Sequence, residues 1–472
     1  MKKMSVYLLV IGLMTGLGYS SSIEVSDTIK VNTTWDADTV KVVDSVLLLE
    51  EASLTINSGT KIIFYDQSNI ICWGTFIANG TKQDSIIFTA ADTAVGRNNL
   101  VLFSTQESEL SYCRLEFGKN SDKGGAIVVR AGANVLIKYS VFYKNESEYG
   151  GAIYNYSDKL VVDSCVFIEN SAKHGGAIQM GRNKVNILNS HFYNNYASLN
   201  GGAININNTA STNVYTSIFK GNRAKSSGGA VYVQDQAAIF FINNLVVENS
   251  AFNGAGIACL EASPYIINNT IYGNSASGHG GGVHMDVSSP KIYNTIVSGN
   301  SASYNGDDLY EDNGNPRIDK CLIGVEINFT DVEKGDYSLS PMSPAIDSGR
   351  DTAWLRLPDY DLASNPRVSG GRIDIGAYEY QDTTTSIFNN SKLPEEKYRV
   401  EAINGFVRIR VFDLANINFL EIRDFSGVLV RRLKPENEDA FVWNGLDESG
   451  NRVKPGIYMF YTSGVYGIIS YV

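Results

Sequence analysis

The chain has 472 residues, of which 43% are hydrophobic and 19% charged, so it can bury a large core and falls outside the disordered class. Its formal net charge of −11 argues against nucleic acid and anionic membrane surfaces as partners, because a phosphate backbone attracts clustered lysine and arginine. The 44 glycines and 27 tyrosines favour turns and strands over long helices. We therefore expect a folded, β-rich protein.

The first 20 residues have the features of a secretory signal peptide. Two lysines near the N-terminus precede an apolar run from Val6 to Leu17, and the small residues Gly18 and Ser20 suit a signal-peptidase site. The alternative is a membrane anchor, but the run is shorter than the roughly 20 residues that a spanning helix needs. We therefore expect residues 1–20 to be removed during export through the periplasm, which leaves no candidate transmembrane span.

A repeat of 25 to 27 residues runs from about residue 110 to residue 305, and two markers share its period. The first marker is a glycine pair or a close variant of it, at Gly124-Gly125, Gly150-Gly151, Gly175-Gly176, Gly201-Gly202, Gly228-Gly229, Gly254-Ala255 and Gly280-Gly281. The second is an asparagine, at Asn145, Asn170, Asn195, Asn222, Asn249, Asn274 and Asn300. In the first four repeats a phenylalanine stands three residues before the asparagine, at Phe142, Phe167, Phe192 and Phe219. Such a shared period indicates a solenoid in which each repeat forms one coil.

The residues after each glycine pair alternate with a period of two, which is typical of a β-strand. Positions three and five after the first glycine, such as Ile178 and Met180, are expected to face the core. Positions four and six are expected to form an exposed stripe, whose candidate ligand-binding members are Tyr154, Tyr156, Gln179, Asn205, Tyr232 and His284. A second strand precedes each asparagine, so we expect two or three short strands in a coil. Stacked coils about 4.8 Å apart would place Phe on Phe inside and Asn on Asn at the turns.

These features predict an all-β chain whose main domain, over residues 21–380, is a right-handed parallel β-helix. A β-propeller would need repeats of about 40 residues or more, and leucine-rich repeats would show a leucine consensus that this sequence does not have. The glycine pair is explained by a tight corner at which a side chain would obstruct the backbone. The stretch around Trp35 and the segments LTINSGTKIIF and GTFIANGTKQDSIIFTA are expected to form the opening coils.

The five cysteines are widely spaced along the chain, at Cys72, Cys113, Cys165, Cys259 and Cys321. An odd number in an exported chain does not describe a disulfide framework. They show neither C-x-x-C spacing nor companion histidines, so a zinc site is not indicated. We expect most of them to be small buried residues.

The repeats with GGAI followed by F-x-x-N resemble those of chlamydial polymorphic outer-membrane proteins and related bacterial β-helix proteins. The resemblance covers about residues 110 to 305. It implies a location at the cell surface and, as in that family, a role in adhesion.

The end of the chain has three further parts. The stretch from SPAIDSG to RIDIGAYEY resembles the closing segment of many bacterial β-helix proteins, and residues 381–398 have the polar composition of a linker. Residues 399–472 show short alternating strands between turns such as Phe425–Val428 and Lys454–Gly456, enough for a small β-sandwich. Their W-x-G, D-x-x-G and G-x-Y elements resemble an immunoglobulin-like C-terminal sorting domain. This resemblance implies the type IX secretion machinery of Bacteroidota as a partner, although sandwich domains without a sorting role share the pattern.

Many right-handed β-helices are polysaccharide lyases or glycoside hydrolases, so catalysis is the alternative to binding. Lyases need carboxylates for calcium beside a basic residue, and hydrolases need two carboxylates within about 5 to 10 Å. The stripe offers only Asp286 and a distant Arg130, so the sequence favours a protein that is not an enzyme. Asp347, Asp361, Arg367, Asp374 and Glu379 are expected to fix the turns of the closing segment instead.

No cofactor is indicated, and calcium is the one ion for which the sequence offers a candidate site. The acidic residues Asp307, Asp308, Glu311 and Asp312 lie close together in NGDDLYEDNGN, although without EF-hand spacing. A solvated loop at the end of the regular repeats explains the same cluster.

The aromatic content fits binding better than catalysis. Tyrosine rings beside Asn and Gln provide the flat faces and the hydrogen-bonding groups that glycans use. Tyrosine is also common on β-rich surfaces without any ligand, because of its strand propensity. The sequence therefore favours a secreted or surface-displayed adhesin or glycan-binding scaffold, with a purely structural envelope protein as a further possibility.

Overall fold

The computed structural model describes the chain from residue 21 to residue 471 with several gaps. The described residues are 21–65, 68–181, 185–207, 211–351, 355, 357–381, 398–403, 406–411, 419–424, 429–435, 440–453, 456–462 and 465–471. The expected signal peptide, linker residues 382–397, the turn Phe425–Val428 and residues 454–455 lie outside them.

Residues 21–323 form a parallel β-helix, as predicted, with up to four strands in each coil instead of two or three. Strands of successive coils pair in parallel and form four ladders. We number the ladders in the order in which the chain passes through them within one coil, beginning with the strand that follows the glycine corner. The first ladder consists of Ser22–Ile29, Thr39–Leu48, Ile70–Cys72, Leu100–Leu102, Ile127–Val129, Ile153–Asn155, Ile178–Met180, Ile204–Ile206, Val231–Gln234, Ile257–Leu260, Val283–Asp286 and Leu309–Asp312.

The second ladder is a 12-stranded sheet made of Thr33–Trp35, Ser53–Ile56, Thr75–Asn79, Glu107–Ser111, Asn134–Lys138, Lys159–Asp163, Val185–Leu188, Ser211–Tyr215, Ala238–Ile242, Tyr265–Ile267, Lys291–Tyr293 and Arg317–Asp319. The third ladder consists of Lys61–Phe64, Ile86–Ala90, Cys113–Glu116, Val141–Tyr143, Val166–Ile168, His191–Tyr193, Ile218–Lys220, Leu245–Val247, Thr270–Tyr272, Ile296–Ser298 and Leu322–Ile323. The short fourth ladder consists of Glu146–Tyr149, Ser171–His174, Tyr196–Asn200, Arg223–Ala224, Ser250–Ala251, Ser275–Ala276 and Ser301–Ala302. The long strand Thr39–Leu48 pairs with both Lys61–Phe64 and Ile70–Cys72, which joins the first and third ladders at the N-terminal end.

The glycine corner needs each of its two glycines for a different reason. The first glycine is left-handed in every repeat, for example with φ of 70° at Gly201, a conformation that strains most side chains. The second glycine lies against the next coil, so a Cβ atom on Gly202 would stand 2.0 Å from the carbonyl oxygen of Gly229. The predicted tight corner is therefore confirmed. The second glycine of the pair is explained by the close stacking of successive coils.

The interior stacks like residues on like residues, as predicted. The rings of Phe142, Phe167, Phe192 and Phe219 stack in parallel with centroids 4.7 to 4.8 Å apart. The asparagine ladder runs from Asn145 to Asn300, in the turn between the third and the fourth ladder. Its side chains are buried throughout. Each of its side chains donates to the Oδ1 atom of the next, as Asn170 does to Asn195 at 2.9 Å.

A second polar ladder, which the sequence reasoning missed, occupies the corner between the second and third ladders. Its members accept a hydrogen bond from the backbone N–H group of the preceding coil; they are Ser140, Ser190, Ser217, Asn244, Asn269 and Thr295. The mixture of Ser, Asn and Thr hid the repetition, although the three side chains perform the same function.

The closing segment, residues 343–380, packs along the side of the β-helix instead of only covering its end. A short hairpin, Phe329–Asp331 with Asp336–Leu339, enclosing the 3₁₀ turn Val332–Lys334, leads into it. The Arg367 guanidinium donates to the side-chain oxygen of Asn243, and Asn268 donates to the carbonyl oxygen of Asp374. Leu355 is buried against outward side chains of the second ladder. Coils far upstream therefore hold this segment.

Polar side chains fix the turns of the closing segment, as predicted. Asp347 accepts from two backbone N–H groups, and Asp361 accepts from three. Glu379 accepts from the backbone of Ser369 and Asp374 and lies 3.5 Å from Arg367. These residues are bound internally, in line with a structural role.

In the C-terminal part, the described residues form seven antiparallel strands in two sheets. One sheet contains Tyr398–Ile403, Phe406–Val411 and Ala440–Trp443, and the other contains Leu429–Leu433, Leu420–Asp424, Gly456–Thr462 and Val465–Tyr471. Both sheets contribute to one core, in which Trp443 and Phe460 are fully buried. The immunoglobulin-like assignment and the domain limits stay predictions.

Two further expectations concern the cysteines and the membrane. All five cysteines are free, and four of them are buried, as expected. Within the described part of the chain, no helix combines the length and the hydrophobicity that crossing a membrane requires.

Candidate functional site

The expected exposed stripe lies on the outward side of the first ladder, but most of it is covered. Gln179, Asn205 and Tyr232 expose only 3%, 1% and 5% of their surfaces, and His284 exposes 9%. The alternation in the sequence correctly predicted that these side chains point away from the interior of the coil. The prediction that they are exposed to solvent was wrong. The glycine corner explains the difference, because its backbone turns back against the side chain four residues later: a Cβ atom on Gly228 would lie 2.7 Å from that of Tyr232.

Tyr154 and Tyr156 differ from the other stripe residues. Tyr154 is half-buried, Tyr156 is 38% exposed, and their rings lie 6.1 Å apart at an angle of 15°. The ring of Tyr156 extends toward the next coil, where Gly181 leaves room for it; a Cβ atom at that position would stand 2.8 Å from Cδ2 of the ring. The predicted stripe therefore reduces to one accessible pair of tyrosines.

These tyrosines form one end of a groove that runs across the first ladder toward the N-terminus. Two adjoining cavities of about 520 and 350 Å³ make up this groove, and they share Phe103, Lys123 and Arg130. We call it the aromatic groove, and its lining consists of Leu47, Asn69, Ile71, Trp73, Asn98, Asn99, Val101, Phe103, Asn120, Ser121, Asp122, Lys123, Val128, Arg130, Ala131, Tyr154 and Tyr156.

One wall of the aromatic groove is a column of large side chains from successive coils. Each member directly follows a strand of the first ladder at Trp73, Phe103, Arg130 and Tyr156. Trp73 is 47% exposed and stacks on Phe103, with ring centroids 4.0 Å apart and planes within 9°. The Arg130 guanidinium lies over the same phenylalanine ring, 5.6 Å from its centroid. The wall thus combines aromatic rings with one cation.

The opposite wall is polar and is held in place by its own hydrogen bonds. Asn120 donates to the side-chain oxygen of Asn98 at 2.7 Å, and its own side-chain oxygen accepts from the backbone of Asp122 and Lys123. The Lys123 ammonium lies 5.2 Å from the centroid of the Tyr154 ring and 3.7 Å from the Asp122 carboxylate. Amides and charges therefore face the aromatic column across a floor of apolar side chains such as Val101.

Sequence reasoning missed most of the aromatic groove. Trp73 and Phe103 belong to coils without the glycine pair, so the repeat did not place them in register with Arg130 and Tyr156. A usable signal was present for three of them, since Trp73, Phe103 and Arg130 follow the three-residue apolar runs IIC, LVL and IVV. Of the described residues that line the groove, Asp122 is the one carboxylate, whereas a glycosidase needs two.

The residues of the candidate calcium site make hydrogen bonds within the protein. Asp308 terminates the asparagine ladder, because its Oδ1 atom accepts from both the backbone and the side chain of Asn300, at 3.1 and 2.8 Å. Burial raises the pKa of Asp308, and these hydrogen bonds oppose the shift. Asp307 accepts from the backbone of Ala302, and Asp312 accepts from Asn313.

In the described part of the chain, no group of three or more His, Cys, Asp or Glu residues is placed to hold a metal ion. The calcium site stays a prediction.

His284 belongs to a separate ring cluster near the C-terminal end of the first ladder. Its imidazole lies 5.5 Å from the Tyr310 ring, which also stacks on His279 at 4.4 Å. Burial lowers the pKa of His284, which favours the neutral form of its ring. The structure does not bring His284 together with Tyr154 and Tyr156.

Residues 216–234 match the model of the Chlamydia polymorphic membrane protein repeat. This segment spans the strand Ile218–Lys220, the ladder residue Asn222, the corner at Gly228-Gly229 and the strand Val231–Gln234, so the match covers most of one coil. No curated protein matches this chain.

Proposed function

We propose that this protein is a surface-associated β-helix that binds glycan chains in the aromatic groove and so attaches its cell to glycan-bearing surfaces. The surface location is supported by the match to a repeat of polymorphic membrane proteins. The binding role is supported mainly by Trp73, which stacks on Phe103 and still exposes 47% of its surface. An exposed apolar patch rimmed by polar residues is typical of an interaction site.

The aromatic groove suits a sugar chain for two reasons. Apolar faces of sugar rings pack on aromatic rings, and sugar hydroxyls exchange hydrogen bonds with amide side chains such as those of Asn98 and Asn120. Both kinds of group are fixed before binding, because the aromatic column is stacked and the amide wall is hydrogen-bonded internally. A preorganised site loses less conformational entropy when its ligand binds.

A glycan array probed with the full chain tests this proposal. Trp73→Ala and Tyr156→Ala should each weaken binding about tenfold, since one stacked ring contributes about 1 kcal/mol beyond its buried area. Tyr139→Ala is the matched control, because Tyr139 is 46% exposed and stacks on Tyr112 at 4.9 Å on a different corner of the β-helix. The proposal fails if no glycan binds, or if all three variants bind like the parent protein. Release of unsaturated or reducing ends from a bound glycan would show that the protein is a lyase or a hydrolase and would contradict the proposal.

We further propose that the C-terminal domain directs export through a type IX secretion route. Support comes from its W-x-G, D-x-x-G and G-x-Y elements and from the two sheets whose side chains share a core with Trp443. Removing the residues after Lys392 should leave the protein in the periplasm, as fractionation would show. Unchanged surface display of the truncated protein would contradict this route.

A further inference from the structure

The centre of the aromatic groove carries positive charge in a protein whose net charge is −11. Arg130 and Lys123 line both cavities and therefore stand where the two meet. Opposite charges attract over several ångströms in a cleft that is partly shielded from water. An anionic ligand would be favoured at this point although the protein as a whole repels anions.

The two cations are not equivalent. Lys123 is paired with Asp122 at 3.7 Å and lies over the Tyr154 ring, so part of its charge is already compensated. Arg130 is exposed, and its guanidinium has neither an ion pair nor a hydrogen bond among the described residues; it lies 5.6 Å from the centroid of the Phe103 ring. A cation over the face of a ring is attracted to it, and this contact uses none of the guanidinium N–H groups. The N–H groups of Arg130 are therefore available to a ligand.

We propose that the glycan bound in the aromatic groove is a uronate chain, whose carboxylate accepts a bidentate hydrogen bond from Arg130. This inference rests on the proposed glycan-binding function. Guanidinium matches the planar geometry of a carboxylate and can donate two parallel N–H bonds to it. Neighbouring sugars stack on Trp73 and Tyr156, which lie on either side of Arg130 in the column.

A sulfated glycan fits the same surface less well. The groove has one unpaired cation and a carboxylate, Asp122, whose side chain is 66% exposed at the rim. A densely sulfated chain would bring several charges to each cation and place others beside Asp122, where like charges repel. One carboxylate per sugar suits a site with a single free guanidinium.

The experiment compares polygalacturonate, polymannuronate and polyglucuronate with their carboxyl-reduced forms, which keep the linkages and lose the charge. Calorimetric titration of the full chain should show at least about tenfold tighter binding of one uronate than of its reduced form, equivalent to about 1.4 kcal/mol. Arg130→Gln should remove that preference, so that the uronate and its reduced form bind this variant with equal affinity. Asp122→Asn should strengthen uronate binding about two- to fivefold, because it removes a like charge from the rim.

Arg223→Gln serves as the control, because Arg223 is also exposed but lies on the fourth ladder, outside the groove lining. It should bind like the parent protein. Binding in which each of the three uronates equals its own reduced form would overturn the inference and leave the glycan-binding function intact, whereas no binding of any glycan would overturn both. Binding of dextran sulfate that is as tight as uronate binding and insensitive to Arg130→Gln would identify a nonspecific polyanion effect and also overturn the inference.

Discussion

The asparagine ladder gives the sharpest test of how the coils are held together. The Asn195 side chain is fully buried and makes four hydrogen bonds. Its Nδ2 atom donates to the Phe167 carbonyl at 3.0 Å and to Asn222 Oδ1 at 2.9 Å, while its Oδ1 atom accepts from the backbone and the side chain of Asn170. Asn195→Ala removes all four bonds and leaves buried groups of Asn170 and Phe167 without partners. Each unsatisfied group costs about 1–3 kcal/mol, so we expect a loss of about 3–5 kcal/mol.

Hydrogen exchange measured by mass spectrometry is the suitable assay, because a solenoid opens locally and the opening free energy can be assigned to single coils. Asn186→Ala is the matched control: its side-chain oxygen accepts one bond, from Asn213, in a half-buried position on the second ladder of the same coil. That variant should lose about 1 kcal/mol or less. Equal effects of the two substitutions would refute the view that the ladder stabilises the stack.

Asn195→Asp extends the test, because a carboxylate can accept from Asn170 but cannot donate to Asn222. We expect this variant to be at least as unstable as Asn195→Ala, since it also buries an uncompensated charge. Asp308 shows why a carboxylate is tolerated at the end of the ladder, where the last side chain only has to accept from Asn300.

Three other substitutions test separate parts of the structure. Phe192→Ala, in the middle of the interior stack, should reduce the free energy of unfolding by about 3–5 kcal/mol in denaturant titration, while a stabilisation above the parent would contradict tight packing there. Arg367→Met should release the closing segment, because it leaves Glu379 and Asn243 without their cationic partner; limited proteolysis should then cut between residues 343 and 380 while the coils stay intact. Burial of the His191 ring lowers its pKa from 6.5 to about 4, so below about pH 6.5 the unfolded chain takes up a proton that the folded one does not, and acidification destabilises the fold until about pH 4. His191→Phe should flatten this dependence in acid titrations followed by circular dichroism, and an unchanged slope would assign it to other groups.

The interior of the β-helix could be predicted from the sequence because its determinants repeat along the chain. A Phe or Asn at a fixed interval can only stack on its equivalents if each repeat closes one coil, and Phe142 on Phe167 and Asn145 on Asn170 do so. In the second polar ladder, different residue types such as Ser217 and Asn244 accept the same backbone hydrogen bond. Because the residue type is not repeated, the sequence did not reveal this ladder.

The site was harder to predict, since exposure depends on contacts that no local pattern records. Asn205 alternates correctly and faces outward, yet the corner at Gly201 covers it; a Cβ atom on that glycine would lie 2.9 Å from that of Asn205. Trp73 and Tyr156 come to lie in one column, with Phe103 and Arg130 between them, only after the coils are placed in register. The closing segment likewise meets Asn243 and Asn268 across more than 100 residues of sequence.

The separation between scaffold and site limits what the family match can say about the ligand. Residues 216–234 contain the corner, ladder and core positions that any coil needs, and none of them lines the aromatic groove, which draws on residues 47–156. The buried phenylalanine stack and the asparagine ladder fix the geometry of a coil. Outward residues such as Arg130 can therefore change without changing the fold. Proteins with the same repeat can therefore present different surfaces. The evidence for a glycan ligand comes from Trp73, Phe103 and Tyr156, and it is independent of the evidence for the β-helix.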